Sequence, residues 1–197
     1  MARLQADNNV LLLVGMRNPS RSDALKRRQL LLDAAAEIFA SQGYGAPLDS
    51  IAARAGVGQG TLYRNFADRD ELLAALIDRD LAGLEEALRD TALVEHPFAM
   101  LEIMAEASVV NPALAEYWTA LPPDSKVVRA GEQRFFALAG RGLPEAKAAG
   151  RIRADLTPED FCTIGIMFRA IRFGADEAER RGTKRRVLSI LTEGIVP

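Results

Sequence analysis

Cysteine and histidine are almost missing from this chain. One cysteine, Cys162, and one histidine, His96, stand among 197 residues. A lone cysteine excludes an internal disulfide and a cysteine-cluster metal site. A lone histidine argues against His-based catalysis and His-rich metal binding. Aromatic residues are scarce, at 6%, with Trp118 the single tryptophan. Long apolar runs are lacking too: the stretch at 10–14 falls far short of the ~20 residues a membrane span needs. There is no nucleophile–base pair and no phosphate loop, because Gly56-Val57-Gly58-Gln59-Gly60 lacks the lysine and the spacing of one. These absences leave an expectation of a soluble, cytoplasmic protein with no cofactor, no metal and no membrane association.

What is present is ordinary in amount and uneven in placement. Hydrophobic residues make up 49% and charged residues 26%, enough for one sizeable core or two small ones. Between residues 17 and 66 seven bases face four acids, whereas from residue 67 onward 17 bases face 22 acids. A basic head on an acidic body suggests that the head meets something anionic; chance scatter gives the same tally without a partner. Residues 1–20 differ from the rest. Asn8-Asn9 and Asn18-Pro19-Ser20 mark coil, and the apolar run at 10–14 has neither the basic flank nor the cleavage pattern of a secretory leader. We expect a flexible arm here, with Met16 an alternative start.

Helical periodicity begins at about residue 22 and runs to 42, with Leu25, Leu32, Ala35, Ala36 and Phe39 on one face. Lys26, Arg27 and Arg28 lie near its start, where the helix dipole disfavours positive charge and a phosphate would offset the cost. Gly43 stops the helix, and Pro47 suits the first position of the next, over 48–55. Gly56 breaks that one after two turns, and a third helix carries residues 61–66. Two short helices joined by a tight glycine turn have the spacing of a helix-turn-helix. Ala52 is small where the helices must approach, Gly56 permits positive φ, and Val57 and Leu62 fill the angle. The outward set Gln59, Gly60, Thr61, Tyr63, Arg64 and Asn65 bonds hydrogen readily and begins with little bulk, which suits a major groove.

The stretch from Leu48 to Phe66, LDSIAARAGVGQGTLYRNF, resembles the DNA-binding signature of the TetR/AcrR family of repressors. Ala34-Ala35-Ala36-Glu37-Ile38-Phe39 with Gly43-Tyr44 resembles that family's first helix, and Asp68-Arg69-Asp70-Glu71-Leu72-Leu73 the start of its fourth. The match is ungapped from about Gln29 to Leu73; a weaker one covers 145–160. The resemblance implies an all-α fold: a three-helix head with a helix-turn-helix over 21–67, and a helical ligand-binding and dimerisation domain over 68–197. Lys26, Arg27, Arg28, Tyr63 and Arg69 are then expected on the DNA backbone, with Gln59, Thr61 and Arg64 at base edges. The sequence also departs from the family. Ala46-Pro47 stands where a capping hydroxyl is common, Gln59 where a lysine is, Asn65 where a histidine or tyrosine is, and Arg69 where a lysine is frequent.

The body reads as a succession of helices: 68–91, with a broad leucine stripe, then about 97–110, 112–119, 124–140, 143–149, 157–173 and 175–194. Thr157-Pro158-Glu159-Asp160 is a strong helix start. The last two helices are apolar beyond the needs of one core, which suggests a four-helix interface in a homodimer, with Phe161, Gly165, Phe168, Leu188 and Leu191 in the seam; burial within one chain is the alternative. Met100, Met104, Trp118, Phe135 and Met167 are candidates to line a cavity for an apolar or aromatic effector, though such residues also serve as plain core. His96 reads as a capping or solvent-facing residue, and Cys162 as a thiol buried in the dimer face, with a redox sensor as the alternative. The basic run from Arg180 to Arg186 reads as solvation of the last helix. The leading expectation is a homodimeric repressor released from a palindromic double-stranded DNA operator by a small molecule. A ligand-independent DNA-binding protein of the same fold and a helical enzyme are the alternatives.

Overall fold

The computed structural model describes residues 21–112, 116, 118–122 and 124–195. The expected arm over 1–20 lies outside them, as does part of the expected helix over 112–119. Among the described residues every regular element is helical, as the all-α reading requires. In chain order these are α1 (Arg21–Gln42), α2 (Leu48–Arg54), α3 (Gln59–Asn65), α4 (Arg69–Ala87), α5 (Ala99–Val110), α6 (Lys126–Ala139), α7 (Leu143–Ala148) and α8 (Pro158–Met167). A 3₁₀ segment (Phe168–Phe173) and α9 (Glu177–Ile195) follow.

The head is α1 to α3. Alanine and leucine favour the helical state in α1, and its buried stripe is Leu31, Leu32, Ala34, Ala35, Ile38 and Phe39. Leu25, expected on that stripe, is 62% exposed, because it lies ahead of the part of α1 that is covered. Pro47 is the residue preceding α2 rather than its first helical one, in extended conformation at φ −59° and ψ 138°. It offers no side-chain cap, and Ser50 Oγ instead donates to Pro47 O at 2.6 Å.

Gly56 then turns the chain at φ +67°. Its N–H donates to Ala53 O at 3.1 Å and that of Val57 to Ala52 O at 3.0 Å, the paired bonds of a Schellman ending. The turn sends α3 back across α2, where Leu62 and Phe66 plug the core at 1% and 0% exposure. Burying a side chain such as Phe66 is worth on the order of 2–3 kcal/mol. The third helix begins at Gln59, two residues before the sequence expectation, because it starts directly from the extended Gly58.

Asp68 opens α4 by accepting from Glu71 N at 2.8 Å, and Glu71 returns the bond by accepting from Ala67 N at 2.7 Å. The helix buries Leu72, Leu73, Leu76, Ile77, Leu81 and Leu84, a stripe that touches the head at its start and the body beyond. It ends at Ala87 rather than residue 91, with Leu88 closing the last turn inside the core. Arg134 of α6 pins the two helices by a bidentate bond to Glu85 at 3.0 and 2.9 Å. Beyond α6, α8 packs on both α6 and α5, while α9 covers α5 and the 3₁₀ segment.

A single helix was expected over 157–173; α8 instead ends at Met167 and tightens into 3₁₀ geometry. Three residues per turn places Phe168 and Ile171 on one side, and both are buried, at 1% and 0% exposure. Asp160 holds the start of α8 by accepting from Thr157 N at 2.7 Å.

Candidate nucleic-acid interface and body cavity

The exposed face of α3 carries Gln59, Gly60, Tyr63 and Arg64. They project outward because Leu62 and Phe66, on the other side, anchor the helix. A side chain at Gly60 would meet nothing within 4 Å in this chain, so no contact of the head's own demands glycine there. Thr61 and Asn65 are half-buried and already engaged. Arg64 Nη2 donates to Thr61 Oγ1 at 3.1 Å, and Asn65 Nδ2 donates to Thr61 O at 2.8 Å. Asn65 is thus folded back along its own helix, where it steadies the last turn.

Two arginines, Arg28 and Arg69, both expected on DNA phosphate, instead hold the head together from behind. Arg28 of α1 donates to Asn65 O at 2.9 Å and lies 4.3 Å from the Phe66 ring centroid, so it clasps the end of α3. A cation there also meets the negative end of the helix dipole. Arg69, expected on DNA phosphate, donates to Tyr44 O and, at 2.6 Å, to Ala46 O. It also lies 5.3 Å from the Tyr44 ring centroid and 5.8 Å from that of Phe39. Its donors face inward on the α1–α2 connection, which differs from the expected role. Lys26 is exposed and Arg27 half-buried on α1, with no carboxylate paired to either among the described residues. The clasp by Arg28 and the inward turn of Arg69 were not readable from the sequence, since they depend on which carbonyls the fold brings near.

A cavity of about 680 Å³ opens in the body between α4, α5, α6 and α8. Of the expected lining, Met104, Trp118 and Phe135 face it; Met100 and Met167 do not. Met100 is packed into the core at 2% exposure, and Met167 points outward at 52%. The wall is mostly apolar, but Arg79, Asp80 and Glu132 bring charge to it. The cavity also reaches the head, through Ala36 of α1 and through Arg79, which donates to Asp33 of α1 at 3.1 Å. Cys162 lies on this wall, and burial first, then the Glu132 carboxylate, raises its thiol pKa. A thiol held protonated in this way is a poor nucleophile.

Several residues expected in a dimer seam are placed elsewhere. Phe161 and Phe168 are buried inside the chain at 3% and 1% exposure. Gly165 faces the terminal methyl of Met104 of α5, which would lie 2.5 Å from a side chain added there. Leu188 and Leu191 are half-buried against the core. The apolar residues left outside on this side are Ile166, Met167, Phe173 and Ile190, 46–79% exposed. Among the described residues no group of three or more metal-ligating side chains occurs, and no helix is long and apolar enough to cross a membrane.

Residues 31–76 match the family model of bacterial regulatory proteins of the tetR family. The HTH-type transcriptional activator FasR of Mycolicibacterium smegmatis is 40% identical over 82 residues, 39% of this chain and 37% of its own length. The HTH-type transcriptional repressor AcnR of Corynebacterium diphtheriae is 32% identical over 77 residues, 39% of this chain and 40% of its own. The chain therefore spans well under half the length of either relative. Across the whole fold, a TetR transcription regulatory protein from Mycobacterium vanbaalenii superposes with a TM-score of 0.62 at 25% identity. It covers 91% of this chain and 100% of its own. The chain thus carries a head that matches the tetR family of bacterial regulatory proteins over residues 31–76, on a helical body with the architecture of a TetR transcription regulatory protein.

Proposed function

We propose that the protein is a homodimeric transcriptional repressor whose grip on a palindromic DNA operator is released by a small molecule. Residues 21–67 serve as the DNA-binding head, and residues 68–197 bind the effector and the second subunit. Two heads place their α3 helices in successive major grooves about one DNA turn, ~34 Å, apart. Gln59 and Arg64 contact base edges, while Lys26, Arg27 and Tyr63 contact phosphate. The second subunit packs on the outward apolar residues of α8, the 3₁₀ segment and α9, led by Phe173 and Met167. The cytoplasm is where such a protein meets its operator, and it needs no catalytic activity.

The observation that carries the ligand-controlled reading is the 680 Å³ cavity whose wall includes Arg79 and Ala36. A ligand there touches both the body and the first helix of the head. One that disturbs the Arg79–Asp33 bond favours a head spacing unfit for the operator. The release it achieves equals its difference in affinity between the two states. A ligand-independent protein of the same fold would have no use for such a space.

Selection of bound DNA from a random pool yields the operator, and compounds are then screened for release from it. The expected result is a two-fold symmetric site and a compound that weakens binding by the ~5–150-fold typical of a coupled pair. A site without symmetry refutes the dimer. Occupancy of the cavity with unchanged operator affinity refutes ligand control and favours the ligand-independent regulator.

A further inference from the structure

We propose that the body cavity is built for an amphipathic organic monocation, an apolar or aromatic molecule bearing one positive charge, with Glu132 as the counter-charge. This rests on the reading of the cavity as an effector site and adds the chemical class of the effector. Three charged side chains reach the wall: Arg79, Asp80 and Glu132. Arg79 is already answered twice, by Asp33 at 3.1 Å and by Asp80 at 3.9 Å. Glu132 has no hydrogen-bond or ion-pair partner among the described residues and is half-buried on a wall that is otherwise largely apolar. The lining therefore carries one uncompensated negative charge.

A carboxylate in such surroundings attracts a cation more strongly than it would in water, because the local dielectric is lower. Aromatic faces add to the attraction. Trp118, Phe135 and Phe168 line the same space, and each offers a ring quadrupole to a cation. An anion would meet Glu132 and Asp80, with the only lining cation among the described residues, Arg79, already paired. A neutral ligand would leave Glu132 facing apolar atoms, with its hydration partly lost.

The chain supplies its own reporter, since Trp118 is the single tryptophan and lines the cavity. Titrating the purified full chain, without DNA, with tetraphenylphosphonium and separately with tetraphenylborate compares two ions of similar shape and opposite charge. Tetraphenylphosphonium is expected to change Trp118 fluorescence and to bind about tenfold or more tightly than tetraphenylborate. Glu132→Gln, which keeps the shape and removes the charge, is expected to abolish most of that preference. Equal binding of the two ions by the natural chain, no response to either, or an unchanged preference in Glu132→Gln each overturns the proposal. Failure of a bound cation to release the operator would overturn ligand control while leaving the cation site standing. Release by a neutral compound, with no preference between the two ions, would do the reverse.

Discussion

Arg69→Ala separates a folding role from a DNA-binding one at a position where family resemblance and geometry disagree. In the folded head the guanidinium bridges Tyr44 O and Ala46 O and lies against the rings of Phe39 and Tyr44. Hydrogen bonds from a charged donor contribute about 1.5–3 kcal/mol each. Water replaces part of that at a half-exposed site, so the pair is worth about 1.5–2 kcal/mol together. Cation–π contact adds roughly 0.5–1 kcal/mol. The alanine variant should therefore lose about 2–3 kcal/mol, which for a chain of this size lowers the melting temperature by roughly 4–12 °C. Thermal melting followed by circular dichroism measures it. Arg69→Lys should recover less than half, because an ammonium cannot fork to two carbonyls. The salt dependence of operator binding by the folded variant should keep its slope. An unchanged melting temperature with a slope reduced by about one per contact would refute the inward role and return Arg69 to the phosphate backbone.

Gln59→Ala, tested against every single-base variant of the operator, should relax one position in each half-site and cost roughly 1–3 kcal/mol there; a uniform loss would mean that Gln59 only positions the head. Phe168→Glu should unfold the body, since it places a charge among buried residues, whereas Met167→Glu and Phe173→Glu should yield folded monomers by sedimentation. Dimers from both surface variants would remove that face from the interface. Gly165→Ala should leave stability unchanged or raise it by up to about 1 kcal/mol, because alanine favours the helix and the Met104 methyl in its way can turn into the cavity; a loss above about 1 kcal/mol would mean that Met104 is held fixed.

The head was legible in the sequence because its devices are local. Gly56 at positive φ, Ala52 at the crossing and Leu62 as the plug each follow from spacing of a few residues. The body was legible as helices but not as a packing. The apolar pattern of 157–173 identified residues that shun water without naming their partners, so Phe161 and Phe168 were assigned to a second subunit when the chain's own core takes them. The 3₁₀ segment escaped notice because periods of 3.0 and 3.6 hardly differ over six residues. Three of the five expected cavity residues face the cavity; Glu132 gave no signal, since a glutamate on an amphipathic helix looks like any solvated charge. Arg69 was assigned to DNA from its place in the pattern, and its bonds to Tyr44 O and Ala46 O belong to the tertiary structure; Asn65 was assigned the same way, and its side chain instead bonds Thr61 O within its own helix.

The division of labour around α3 bears on how such a protein changes its target. Leu62, Phe66 and the Arg28 clasp hold the helix in place, while Gln59, Gly60, Tyr63 and Arg64 face outward. New operators are therefore reachable through substitutions that leave the hydrophobic interior intact. Gly60 marks the limit of that freedom. Glycine within a helix sacrifices roughly 1 kcal/mol relative to alanine, and no neighbour in the chain requires it. With no side chain, Gly60 lets the start of α3 come close to whatever it meets, and a larger residue there would hold the helix off that surface.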